Sequence, residues 1–265
     1  MRWTVLFVLV ISGLWSCGPD DDVVVVKIIL EKATVEEQAV IGRSLADLAT
    51  IYWSVHDRTD ARHAASYAYL DRLLELLVVH PSLERRTAFD WTLHILEAPA
   101  EQEAFGFPGG QLYVTTGLLH FLESEDQLLS VLAHEMAYLD RDVLVNRLIN
   151  TKDVGGDQLG DLVIGRAPAD PVSLLDAVRT TTHDAEAVLA ADTLMLELLC
   201  PFNYRPTGLA RIYELSDAQT KLPQWLARRP ADREARLDWL LQNAFACELN
   251  GVRNEAAYQS FLENL

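Results

Sequence analysis

His134-Glu135-Met136-Ala137-Tyr138 is the segment of this chain that comes nearest to a set of catalytic groups. On a helix, residues i and i+4 share one face. When both are histidines, two imidazoles reach one zinc ion, and a glutamate directly after the first histidine serves as general base toward the metal-bound water. Here His134 and Glu135 stand in the first two of those places, and Tyr138 stands where the second histidine would be. Taken alone, a His-Glu pair in a helix is more often an exposed or hydrogen-bonded pair than a metal site. The histidines His56, His63, His80, His94 and His120 scatter without ligand spacing. No Gly-rich phosphate loop, Ser-His-Asp order or Cys-His order stands out.

The elements that must hold His134 are legible as hydrophobic periodicity. Glu125 to about Asn150 predicts one long helix carrying Leu128, Leu129, Val131 and Leu132 ahead of His134. Val35 to about Val55 repeats the helical spacing through Val40, Ile41, Leu45, Leu48 and Tyr52, and Ala61 to Val79 does so again before His80-Pro81. Ala88 to Glu97 alternates like a strand, and Gln111 to Thr115 predicts a second one after the Pro108-Gly109-Gly110 turn. Gly155 to Pro171 reads as a loop. Pro171 to Leu199, Leu209 to Leu215 and Ala231 to Asn243 read as helices. Helices around a small β-sheet make the fold class α+β, mostly helical.

At 265 residues, half of them hydrophobic, the chain is long enough for one packed domain with a short appendage. Lys plus Arg number 22 against 39 Asp plus Glu, a net charge of −17, which excludes nucleic acid as an expected partner. Met1-Arg2 and the apolar run from Trp3 to Trp15 have the length of a signal-peptide core and fall short of a bilayer span. The run ends in Leu14-Trp15-Ser16-Cys17, which resembles a bacterial lipobox with Cys17 as the lipidated residue. The expected organisation is a lipoprotein signal peptide at 1–17, a linker or tether at 18–34 that includes the β-branched run Val23 to Leu30, and the folded domain at 35–265. The expected location is the bacterial cell envelope, exported and anchored to a membrane through Cys17. Cys200 and Cys247 then remain. They could form the disulfide that an exported protein permits, or be two separate buried apolar groups.

Four ordered stretches carry a family resemblance. Ala104 to Leu119, containing Ala104-Phe105-Gly106-Phe107-Pro108-Gly109-Gly110 and Thr116-Gly117-Leu118-Leu119, is similar to the NAFALPGG and TGLL run of metallopeptidase family forty-eight, the CaaX prenyl protease, HtpX, Oma and BepA type. Ser130 to Ala137 follows at the family spacing. Asn203-Tyr204-Arg205-Pro206 resembles the family's Gly-Tyr-Asp-Pro. Pro223 to Pro230, followed by Arg236-Leu237, resembles its FLSTHP ending. The resemblance implies a gluzincin-like zincin fold, a zinc helix and a third ligand, Glu, four residues before an Asp on a later helix. That Asp matches Asp192, and the ligand position is Val188. The family's Arg-His positions after the zinc helix are Asp142-Val143 here.

Of three implied zinc ligands, only His134 survives, beside Glu135 as the residual general base. Catalytic zinc sites use three protein ligands plus water. A phenol with a pKa of ~10 replaces neutral imidazole poorly, and Val188 has no donor atom. Without metal, water keeps a pKa of roughly 15.7 instead of about 7, and an ordinary carboxylate cannot usefully deprotonate it. The expected cofactor is therefore none, with zinc only if the ligands Asp184, His183 and Glu186 rescue the site. Asp184 lies one helical turn before Val188, displaced by about 5–6 Å along the axis. The resulting expectation is a pseudo-peptidase that binds a polypeptide or envelope protein without hydrolysing it. The peptide would lie along Gln111, Leu112, Tyr113, Val114 and Thr115 taken as an open strand edge. The alternatives are an active zinc endopeptidase with an atypical ligand set, and a structural lipoprotein whose cleft is closed by side chains such as Tyr138.

Overall fold

Gly42 explains how the first helix meets the sheet. A Cβ there would stand 1.7 Å from the carbonyl oxygen of Pro108, so only glycine lets helix α1 (Val35–Tyr52) rest on the Pro108-Gly109-Gly110 turn. Gly109 and Gly110 take φ values of +80° and +96°, which glycine adopts without steric cost. The turn joins strands β2 (Ala104–Phe107) and β3 (Gln111–Thr115), and β1 (Thr92–Leu96) completes a three-stranded sheet in the order β1-β3-β2. This computed structural model describes residues 28–152, 154–202, 204–219, 222–227, 232–244 and 251–265. The lipobox with Cys17, Cys247 and most of the run Val23 to Leu30 lie outside the described residues.

Helices surround the sheet, and the class is α+β, as the periodicity predicts. After α1 come a 3-10 turn (Ala61–His63) and α2 (Ala64–Val78). Following the sheet are α3 (Thr116–Phe121), α4 (Glu125–Asp140), α5 (Val143–Ile149), α6 (Gly155–Val163), α7 (Pro171–Arg179), α8 (Ala185–Leu199), α9 (Gly208–Ala218), α10 (Gln224–Ala227), α11 (Arg233–Ala244) and α12 (Glu255–Leu262). Helix α4 is buried along its whole length, packed between the sheet, α8 and α9. Among the described residues, no helix is long and apolar enough to cross a membrane.

Four expectations are corrected. Gln111 to Thr115 is the central strand: β3 pairs with β1 in parallel and with β2 antiparallel, so both of its hydrogen-bonding edges are taken. A peptide cannot add to it, and the sheet's edge on that side is β2. The expected helix from Glu125 to Asn150 breaks at Asp142, which takes φ 58° and is held by Gln38 (2.8 Å) and Arg85 (2.6 Å). The expected loop from Gly155 to Pro171 contains α6, whose Gly156 and Gly160 admit the backbone of Leu30 and Ile28 against the helix. Two glycines placed for close approach look, in sequence, like two loop residues. The expected helix from Pro171 to Leu199 is two, separated where Asp184 caps α8.

Gly42→Ala tests the seating of α1. The added methyl meets a backbone oxygen that no rotamer change can move, and overpacking of this kind costs ~1–3 kcal/mol or more. A drop in urea midpoint with unchanged slope is the expected result; an unchanged midpoint would contradict the close approach.

Candidate functional site

His134 and Asp192 are each 0% exposed, and helix packing places them together: α4 carries His134, α8 carries Asp192. His134 Nδ1 lies 2.9 Å from Asp192 Oδ1. A carboxylate only accepts, so Nδ1 holds a proton, and Nε2 is the ring atom left to meet a metal. Nε2 instead pairs with the hydroxyl of Tyr138, 3.0 Å away. Tyr138 is itself 2% exposed and stands edge-on to the imidazole.

Asp192 is held from its other side by Arg236 on α11. Arg236 Nε donates to Oδ2 at 2.7 Å and Nη2 to Oδ1 at 2.8 Å, a bidentate fork, while Nη1 donates to the hydroxyl of Tyr213 at 2.9 Å. Burial pushes the carboxyl's pKa up, but the hydrogen bonds from His134 and Arg236, with their charges, outweigh it and hold Asp192 below the usual carboxylate value. Arg236 is raised above its ordinary value, the bonds and charge of Asp192 prevailing over burial.

Glu135, the general-base position, is buried and accepts a hydrogen bond from the indole N–H of Trp225 at 2.7 Å. Trp225 is fully buried in α10 and stands edge-on to His134. Its segment is pinned to the chain just before β2: Gln224 Oε1 accepts from Gln102 N at 2.8 Å, and Trp225 N donates to Gln102 O at 3.0 Å. The indole therefore occupies Glu135 with a donor that has no reactive proton to give up.

Zinc does not fit these residues. The Tyr138–His134 hydrogen bond is worth only ~0.5–1.5 kcal/mol and would not by itself exclude a metal. The donor count does: Val188 is buried on α8 and offers nothing, and Tyr138 offers a phenol. The rescue set is not assembled either. Asp184 is exposed and uses its carboxylate to accept from Ala187 N at 2.9 Å, as the cap of α8, and Glu186 is exposed on the same first turn. Only His183 joins the site, as a ring stacked on Tyr138 at 3.8 Å. Among the described residues, no three His, Cys, Asp or Glu side chains are grouped to hold a metal ion.

The space above Glu135 is nearly filled. The cavity bounded by Ala104, Phe105 and Gly106 of β2, by Glu135 and Tyr138, and by Val178, Arg179, Thr181 and His183 has a volume of ≈ 10 Å³. That is about the room one water needs. Val178, Arg179, Thr181 and His183 thus line the same cavity as β2. Arg179 ties them down through an ion pair with Glu101.

The sequence comparisons agree with this architecture. The model of Peptidase family M48 matches residues 64–153, from α2 through the helix of His134. The mitochondrial metalloendopeptidase OMA1 of Bos taurus is 27% identical over 208 residues, covering 70% of this chain and 38% of that protein. OMA1 of Homo sapiens is 25% identical over 204 residues with the same coverage, and mitochondrial metalloendopeptidase OMA1 of Schizosaccharomyces pombe is 32% identical over 82 residues, 31% of this chain and 23% of that protein. Over about a third of its length the chain is similar to peptidase family M48, as a divergent relative. It spans well under half the length of these relatives. M48 is a family of zinc metallopeptidases, and at two of the three ligand positions that the resemblance implies this chain carries a phenol, Tyr138, and a side chain without a donor atom, Val188.

Trp225 and Arg236 are site residues that sequence reasoning quoted only as parts of a motif. The Trp-to-Glu and Arg-to-Asp pairings join positions 90 and 44 residues apart, and no local spacing encodes them. Asp192→Asn tests their weight. It leaves Arg236 buried without its counter-charge, a class of change that costs ~3–5 kcal/mol. Because Asp192 has a lowered folded-state pKa, its contribution is present above the ordinary Asp value and lost as pH falls through the lower folded one. Wild type should therefore lose its stability advantage over Asp192→Asn as pH drops below about 4; a constant difference from pH 7 to pH 2 would contradict the pairing.

Proposed function

We propose that this protein is a metallopeptidase-fold protein of the bacterial cell envelope that works without hydrolysis, as a pseudo-peptidase binding a polypeptide partner. The observation that carries the loss of hydrolysis is the hydroxyl of Tyr138 on His134 Nε2, with Val188 at the third ligand position. Glu135 retains its place but has no activated water to act on, and Trp225 occupies it instead.

The envelope setting is supported by the Leu14-Trp15-Ser16-Cys17 stretch behind a signal-length apolar run. It is also supported by Cys200, which is disulfide-bonded. Disulfides persist in oxidising compartments. Anchoring through Cys17 would hold the domain beside a membrane. Polypeptide binding moves, in this reading, from the interior strand β3 to the edge strand β2, and requires residues 178–183 to withdraw. The closed structural lipoprotein is the second reading, favoured by the ≈ 10 Å³ cavity above Glu135.

One experiment separates these readings from an atypical peptidase. The wild-type chain, Glu135→Gln and the double substitution Tyr138→His with Val188→Glu are assayed against unfolded casein for cleavage and binding. The pseudo-peptidase reading expects casein bound but uncut by wild type and by Glu135→Gln, and cleavage gained only by the double substitution with zinc. Cleavage by wild type that Glu135→Gln abolishes would overturn it. No binding by wild type would transfer the case to the closed structural protein.

A further inference from the structure

Helix α4 begins with a second buried carboxylate. Glu125, ten residues and therefore about 15 Å of helix before Glu135, is 0% exposed. Four donors converge on it: the hydroxyls of Tyr69 (2.5 Å) and Tyr204, Nη2 of Arg72 (2.7 Å) and Nδ2 of Asn254 (2.8 Å). Burial raises the carboxyl's pKa, and the hydrogen bonds from Tyr204, Tyr69, Asn254 and Arg72 more than reverse that, so Glu125 is an anion. Its effect on Arg72 is to fix the guanidinium. One edge is spent on Glu125, the plane lies over the ring of Tyr69 at 5.1 Å, and the side chain is still 47% exposed.

That exposed part faces an open groove between α2 and α12 with a volume of ≈ 460 Å³, within the range of roughly 300–1,000 Å³ typical of small-ligand sites. Tyr69 and Phe261, stacked at 4.5 Å, supply aromatic surface. Ala65 and Ala257 leave space, and Ser260 and Asn264 supply polar groups. A pre-positioned guanidinium edge beside apolar surface is the arrangement that recognises a carboxylate by paired N–H···O bonds. The other charges in contact are accounted for: Glu125 is beneath and saturated, and the neighbouring Glu255 is paired with Arg253 at 2.7 Å.

We propose that this groove binds a carboxylate joined to an apolar group, with Arg72 as the anion-binding residue and Tyr69 and Phe261 as the apolar wall. A polypeptide C-terminus and a small organic acid share that chemistry. The site is independent of whether the chain hydrolyses peptides.

Fluorescence anisotropy on the full chain tests it, with a labelled tetrapeptide ending in Phe-Leu as the free acid, the same peptide amidated, and unlabelled phenylacetate as competitor. Binding of the acid at least tenfold tighter than the amide is expected, with at least tenfold loss in Arg72→Gln and in Ala257→Trp, which fills the groove. Ala257→Trp keeps Arg72 and its partners, so a wild-type melting curve for it separates a blocked site from an unfolded one. Phenylacetate that binds, read by isothermal titration calorimetry, where the peptide acid does not would assign the site to small acids. Equal binding of acid and amide, no binding of either acid, or wild-type affinity in a folded Ala257→Trp would overturn the proposal.

Discussion

The carboxylate of Asp192 is the constraint on which the middle of this molecule depends. It takes three hydrogen bonds in a region sealed from water, two from Arg236 and one from His134. A buried charge left unpaired is among the costliest defects a fold can carry. The three helices that bring these residues together, α4, α8 and α11, are therefore fixed relative to one another by one small cluster. In a zinc site, a carboxylate in this place orients the ligating histidine. Here it performs that orientation for a histidine whose other ring nitrogen meets a tyrosine hydroxyl.

In the proposed pseudo-peptidase, that pairing lets the fold stand without a metal. A tetrahedral zinc site stabilises through three protein bonds, and its removal would leave a polar hollow. Tyr138 and Val188 fill it, the first with a hydrogen bond to His134 and a ring stacked on His183, the second with buried apolar surface. Trp225 does the same for Glu135. Each of these polar groups has a partner that suits a static core, and polar groups so satisfied cost little to keep.

The site was legible where chemistry resides in residue type, and illegible where it resides in contact. His134, Glu135, Tyr138, Val188 and Asp192 could be aligned by spacing because helix periodicity is local. The role of Gln111 to Thr115 could not: an apolar stretch after a turn marks a strand without saying whether its edges are free, and here both are paired. The uniform burial of β3 is also that of β2, so the two strands differ only in their neighbours. Helix α6 was hidden for the opposite reason. Its glycines lower helix propensity, and what they gain is the close approach of residues 28–30, a tertiary effect with no local signature.

Metal content decides most directly whether this fold has exchanged its zinc for a hydrogen bond. Elemental analysis of the purified chain, beside His134→Ala and after dialysis against micromolar zinc, reads it without any assumption about substrate. The account predicts no stoichiometric zinc in the folded chain, because three protein ligands are not assembled, with no difference in His134→Ala. About one zinc per chain, lost in His134→Ala, would contradict it and return the protein to the active peptidases.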